Sequence, residues 1–275
     1  MNGANNSTPL ERVIPIVLIV LGLIGLYYLY QYLFGGATTG NTYTVLSNTR
    51  SAVFDQSTSI TVTSDKLPSI YEGGEFTIST WIYVNNWSYR QGFNKPIITI
   101  GGHNFDIIRV YLGGYKPSLN IRLHTGGNDN LHAKTKDKVF NELQSGADLL
   151  DGSQICDLPE VDLQRWVSIT VSVNGKTVDV YYDGKLARSC VLPSFYKVDA
   201  GGYSARLLEY GGFGGQISTT SVYDYALNPE QVYKIYMSGP EPTTNILSWI
   251  GSFIAPRISV SISQSSDRNN NQAIN

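Results

Sequence analysis

Residues 166–192 read WVSITVSVNGKTVDVYYDGKLARSCVL, and the first third alternates without a break. Successive side chains of an extended chain point to opposite sides, so Val167, Ile169, Val171 and Val173 fall on one face. Asn174-Gly175 then offers the pair of positive φ angles that a two-residue type I′ hairpin needs. Residues 177–182 return, Asp183-Gly184 turns again, and residues 185–192 make a third strand. The stretch is a β-meander, and it sets the fold class as all-β and antiparallel.

The same signature recurs upstream. Residues 76–84, FTISTWIYV, place Phe76, Ile78, Thr80, Ile82 and Val84 on one face; residues 59–63 alternate and residues 96–100 form a short apolar run. One soluble helix stands out at residues 226–236, where Asn228 is placed to cap, Pro229 suits the first helical position and Gln231 completes a capping box, with Gly239-Pro240 as the stop. The composition agrees: 12% aromatic, 15% charged and 27 glycines in 275 residues suit a strand-rich globular domain. With 20 Lys and Arg against 22 Asp and Glu, and no basic stripe, nothing is built to neutralise phosphates, so nucleic acid is excluded as a partner.

The N-terminal region has another character. Residues 13–34, VIPIVLIVLGLIGLYYLYQYLF, hold no charge, and 22 residues of helix match a hydrocarbon core about 30 Å thick. Tyr27, Tyr28, Tyr30 and Tyr32 gather at the C-terminal end, where phenols sit at headgroup level. The expectation is one transmembrane helix, with a lipid bilayer as partner. Gly35, Gly36 and Ala37 leave a cleaved signal peptide as the other reading. Arg12 precedes the run and the next basic residue is Arg50, which puts the N-terminus in the cytoplasm. The division expected is a tail at 1–12, the span at 13–34, a linker at 35–44, a β-sandwich at 45–240 and a C-terminal apolar segment with a polar tail at 241–275.

The order VFDQSTSITV, FTISTWIYV, LQRWVSITVSVNGKTVDVYYDGKLARSCVLP and GGFGGQISTTSVYDYALNPEQVYKIY resembles the laminin-G-like, concanavalin-A-like jelly-roll family over residues 53–239. With Cys156 before the Trp strand, Cys190 after the DGK turn and a single membrane helix ahead, the chain is also similar to structural proteins of large icosahedral DNA viruses of the chlorella-virus and mimivirus kind. That resemblance implies a jelly-roll sandwich and a membrane-anchored minor capsid or internal-membrane protein of a virion, with other capsid or membrane proteins as partners. The alternative it leaves open is a membrane-anchored lectin with a glycan partner; a glycoside hydrolase is the third.

Candidate sites are few. Cys156 leads into the meander and Cys190 lies on its third strand, so they either pair or pack as two thiols; a bridge closing about 35 residues contributes roughly 3–4 kcal/mol in the chain-entropy model. Trp87, Tyr89 and Phe93, beside Arg90 and Lys95, either contact a sugar or protein partner or fold back on the sandwich edge. Asn128, Asp129 and Asn130 carry oxygen donors of the kind that hold calcium, against the reading of a solvated loop. Asn86-Trp87-Ser88 is a glycosylation acceptor at Asn86 if the domain is lumenal. Ile246, Trp249, Ile250 and Phe253 recur at helical spacing on a segment too short to span a bilayer, which either packs on the domain or docks at a membrane interface or partner groove.

No catalytic residue is assigned. The sandwich glycosidases that resemble this fold use an ExDxE strand, with alternate carboxylates on one face. Here Glu160 and Asp162 are followed by Gln164, which can neither donate nor accept a proton usefully near pH 7. His103, His124 and His132 lack zinc spacing. The chain is read as no enzyme and as needing no cofactor.

Overall fold

A computed structural model describes residues 9–34, 40–54, 59–126, 131–144 and 156–241. It divides into two compact units, Met1–Asn41 and Thr42–Asn275. The first holds helix α1 (Pro9–Phe34), whose 26 residues run about 39 Å at 1.5 Å each. Pro15 sits within it. Among the described residues no helix is long and apolar enough to cross a membrane; side chains are described without interruption over residues 17–29, about 20 Å of helix. The helix expected over residues 13–34 is therefore present, and the crossing expected of it is not shown.

The second unit is a sandwich of two antiparallel sheets. Its strands are β1 (Thr42–Leu46), β2 (Arg50–Val53), β3 (Ile60–Thr63), β4 (Glu75–Asn86), β5 (Lys95–Gly101), β6 (Asp106–Leu112), β7 (Leu119–Leu123), β8 (Trp166–Asn174), β9 (Thr177–Tyr182), β10 (Lys185–Val191), β11 (Ser204–Leu207) and β12 (Gly212–Tyr223). The seven-stranded sheet runs β1-β12-β4-β8-β9-β10, with β2 also on β12; the five-stranded sheet runs β3-β11-β5-β6-β7. β1 begins inside the stretch expected as linker. Inner faces meet as expected: Phe76, Ile78, Ile82 and Val84 of β4 and Val167, Ile169, Val171 and Val173 of β8 are buried with Ile98, Ile100, Ile108 and Val110 of the opposite sheet. Thr80 tolerates this layer because its hydroxyl bonds that of Thr220 at 2.8 Å.

Both meander turns are present, with one correction. Asn174 pairs with Thr177, so the turn residues are Gly175 and Lys176, and only Gly175 has positive φ, the pattern of type II′ instead of I′. At the next turn Asp183 (φ 50) and Gly184 (φ 74) are both left-handed, as type I′ requires.

The outer faces are covered too. On the seven-stranded sheet, α3 (Pro229–Ser238) lies over a Ser and Thr floor: Thr77 donates to Ser172 at 3.2 Å and Thr170 to Ser79 at 3.1 Å, while Tyr236 stacks on Trp81 at 5.8 Å. Its capping box forms as expected, Asn228 and Gln231 each accepting from the other's backbone N–H at 2.9 Å. On the five-stranded sheet, Arg206, Thr99, Arg109 and Arg122 stand in register across β11, β5, β6 and β7. A segment with a 3-10 turn (Ala133–Thr135) and helix α2 (Lys136–Phe140) lies over them, and buries Lys136 and Phe140. The charged groups under it are paired, whereas the buried Thr99 hydroxyl has no partner among the described residues. Asp106, 0% exposed, receives Arg109 Nε at 2.6 Å, Arg206 Nη2 at 2.6 Å and Lys136 Nζ at 3.1 Å, and Lys136 also meets Glu209 at 3.3 Å. Phe140 packs edge-on against Tyr111 and stacks on Tyr210.

Cys156 and Cys190 form a disulfide, with Cα atoms 5.8 Å apart. Its position explains its use. Leu158 exchanges two 2.9 Å backbone bonds with Leu119 on the edge strand β7, Asp157 pairs with Arg122, and Arg188 of β10 donates to the Asp157 carbonyl at 2.8 Å. The bridge thus joins the β7 edge of one sheet to the β10 edge of the other.

Reduction, or Cys156→Ser with Cys190→Ser, is expected to lower unfolding free energy by about 3 kcal/mol, read from the urea midpoint with and without reductant. Asp106→Asn leaves three buried cations short of a carboxylate and is expected to cost about 3–5 kcal/mol by the same assay. A near-neutral result there would show that the cluster does not hold α2 in place.

Candidate functional site

At the end of β4 the chain leaves the sheet through Asn86, whose side-chain oxygen accepts from Tyr89 N at 3.3 Å. The turn that follows is tight. Phe93 N donates to Arg90 O at 3.1 Å and Gly92 N to Gly114 O at 3.0 Å, with Arg90 (φ 51) and Gly92 (φ 83) left-handed. A non-glycine residue in that region costs on the order of 1 kcal/mol, held here by what Arg90 touches. Its Nη2 donates to Phe140 O and its guanidinium lies 5.3 Å from the Phe93 ring centroid. Tyr89 donates its hydroxyl to Gly211 O at 3.0 Å.

Lys95 sits beneath. It is 0% exposed, its ammonium stands 3.9 Å from the Trp87 ring centroid, and its donors reach the Gly113 and Gly114 carbonyls at 3.4 Å each. Among the described residues no carboxylate pairs with it. Burial, and then the neighbouring Arg90 charge, push its pKa down to about 8. Burial also lowers that of Arg90. Trp87 Nε1 donates to Tyr115 O at 3.4 Å.

The structure therefore brings Trp87, Tyr89, Arg90 and Phe93 together at one end of the sandwich. It also partners each of them internally, so all four are half-buried. The outward surface comes from two residues that the sequence reading did not single out, Tyr115 (41% exposed) and Leu143 (67%). Gln144 N donates to Gly92 O at 2.8 Å, which draws Leu143 to this end. An apolar residue in the polar stretch NELQ, and a Tyr after Gly113-Gly114, were the only signals. Asn86 is exposed beside them.

Other candidates fall elsewhere. Glu160, Asp162 and Gln164 lie on an exposed irregular segment, with Gln164 at φ 59 and Asp162 bonded to Arg165 Nε at 2.9 Å, so they do not alternate along a strand. Asn128, Asp129 and Asn130 lie outside the described residues, as do Ile246, Trp249, Ile250 and Phe253. Among the described residues no group of three or more His, Cys, Asp or Glu could hold a metal. His124 and His132 do approach, rings 5.5 Å apart, although their sequence spacing gave no hint of it.

Lys95 makes a pH signature. Its folded value lies below the ordinary 10.5, so between about pH 8 and 10.5 the unfolded chain holds the extra proton and stability rises with pH. Below that window the burden of the buried charge is full. From about pH 7.5 to 9.5 the wild type is expected to gain on the order of 1–3 kcal/mol relative to Lys95→Met in urea titrations. Parallel curves would show that Lys95 is not the titrating group.

A family model described as the concanavalin A-like lectin/glucanases superfamily matches residues 54–233. A search of curated proteins finds no match. Among solved structures, the botulinum neurotoxin serotype D ligand binding domain in complex with N-acetylneuraminic acid aligns with a TM-score of 0.48 and 13% identity, over 73% of this chain and 46% of that one. The serotype G binding domain aligns with a TM-score of 0.45 and 16% identity, over 72% and 46%. The chain spans less than half the length of these neighbours. Two antiparallel sheets over the matched residues fit the family model, and the chain belongs to the concanavalin A-like lectin/glucanases superfamily, in its laminin-G-like branch.

Proposed function

We propose that this protein is a membrane-anchored structural and interaction module, of the virion kind that the sequence resembles, and that it works by contact, without catalysis. One observation carries the reading: both broad faces of the sandwich are occupied by the chain itself, α3 on one and the α2 segment on the other. Among the described residues, one surface left for a partner is the loop end, where Tyr115 and Leu143 are exposed over a base of Trp87, Arg90 and Phe93. Such a mixed aromatic, aliphatic and cationic cluster is the composition of protein contact cores. The uncharged run at residues 13–34 supplies the anchor, with the N-terminus cytoplasmic by its charge bias.

A glycan partner is the second reading, favoured by the Trp87 ring beside the exposed Tyr115. The two readings separate in one set of experiments on the full chain. A contact protein stays with membranes or purified particles through an alkaline carbonate wash, cross-links to neighbouring proteins, and loses that cross-linking several-fold in Leu143→Asp. On a glycan array it stays blank. A sugar class retained by the wild type and lost in Trp87→Ala makes the protein a lectin instead, and a chain washed from the membrane loses its anchor.

A further inference from the structure

Thr42 pairs with Tyr223, and Tyr223 with Thr77, so the chain enters the sandwich within two residues of the Glu75 end of β4. The same end holds Asn174, Thr177 and Val191, the ends of β8, β9 and β10. It carries three exposed apolar side chains: Tyr71 is 62% exposed, Val191 66% and Phe195 46%. These residues are tied to one another. The Phe195 ring lies over Gly73, where an added Cβ would stand 3.3 Å away, and the Tyr71 ring lies against Gly74. Tyr196 donates its hydroxyl to Tyr71 O at 2.7 Å, Gly175 N donates to Gly74 O at 3.2 Å, and Leu192 N to Lys176 O at 2.7 Å. Lys176 Nζ lies 5.2 Å from the Phe195 ring centroid, and Lys197 pairs with Glu72 alongside.

We propose that this end is a lipid-contact surface, with Tyr71, Phe195 and Val191 at the headgroup level of a bilayer. The proposal rests on the membrane anchor advanced above. Seven residues, 35–41, separate Phe34 from Thr42, and fully extended they reach about 25 Å. Only one end of the sandwich is on so short a lead; the loop end stands some 36 Å farther along the 12 residues of β4. Three exposed side chains make a small patch for docking from solution, where a stable interface buries about 800 Å² per partner. A tethered domain needs no such area, since the anchor supplies the local concentration. The side chains also suit the layer: aromatic rings at the interface, with lysine stems along apolar surface and ammonium groups in water.

The test uses the full chain in phosphatidylcholine vesicles, labelled with a fluorophore at Phe195→Cys or, as a control, at Leu143→Cys; the native cysteines are bridged and do not react. Flotation with the vesicles reports the anchor. Headgroup spin-labelled lipid is expected to quench the label at position 195 several-fold more than that at 143, and Tyr71→Ser with Val191→Ser should reduce the difference. Protein that floats while both positions are quenched alike overturns the lipid surface and leaves the anchor standing. A position-195 label shielded from aqueous quencher but untouched by the lipid quencher overturns it in favour of a protein cover. Protein that fails to float removes the anchor and the surface together.

Discussion

The Asp106 carboxylate, at 0% exposure, is the group on which the closed form of this sandwich depends. Three cations from different parts of the chain converge on it: Arg109 from its own strand, Arg206 from β11 and Lys136 from the covering segment. Each would be expensive to bury alone, since desolvating an ion costs several kcal/mol that only close pairing recovers. The pairing therefore works as a condition on geometry. α2 can lie on the five-stranded sheet only with Lys136 over Asp106 and Glu209, and that position sets Phe140 between Tyr111 and Tyr210. The turn beyond β11 follows the same demand. Leu208 and Tyr210 take left-handed φ values of 59 and 55, which place Glu209 toward the cluster at some backbone cost.

Closure decides where function can reside. A sandwich whose sheet faces are open offers a concave floor for a polymer; here one floor is filled by α2 and the other by α3 with its stacked Tyr236. What is left is the two ends. One gathers Trp87, Arg90, Tyr115 and Leu143 over a buried, depressed lysine; the other receives the chain at Thr42 and exposes Tyr71 and Phe195. The disulfide shuts one side of the sandwich by clasping the edges β7 and β10 through Cys156 and Cys190.

Much of this was legible in the amino-acid order because it is local. β4, the β8-β9-β10 meander and the α3 capping box are written in period-two alternation and in fixed short spacings, and the structure follows them. The first turn slipped by one residue, since Asn-Gly marks a hairpin without fixing which pair is central. Asp106, Arg109, Lys136, Arg206 and Glu209 are scattered over a hundred positions, and no period links them, so their cluster had no sequence signal. Residues 96–100 stood out only as a short apolar run, and β6 and β7 were not singled out; all three strands are buried on both faces, because the cover over their polar side arrives from a later segment. The loop end was found by its aromatics, but Trp87 serves mainly as the lid on Lys95 and the exposed positions belong to other turns. The membrane crossing was read from an uncharged run, and the structure shows the helix there without the crossing.

Native-state hydrogen exchange on the full chain bears most directly on the closed face. If the Asp106 cluster fixes α2, the amides of residues 131–144 exchange only with the global unfolding of β5 and β6, with the same free energy and the same urea dependence. If they exchange through a separate opening of lower free energy while β5 and β6 stay protected, the five-stranded face is accessible to ligands, and the assignment of function to the ends of the sandwich is wrong.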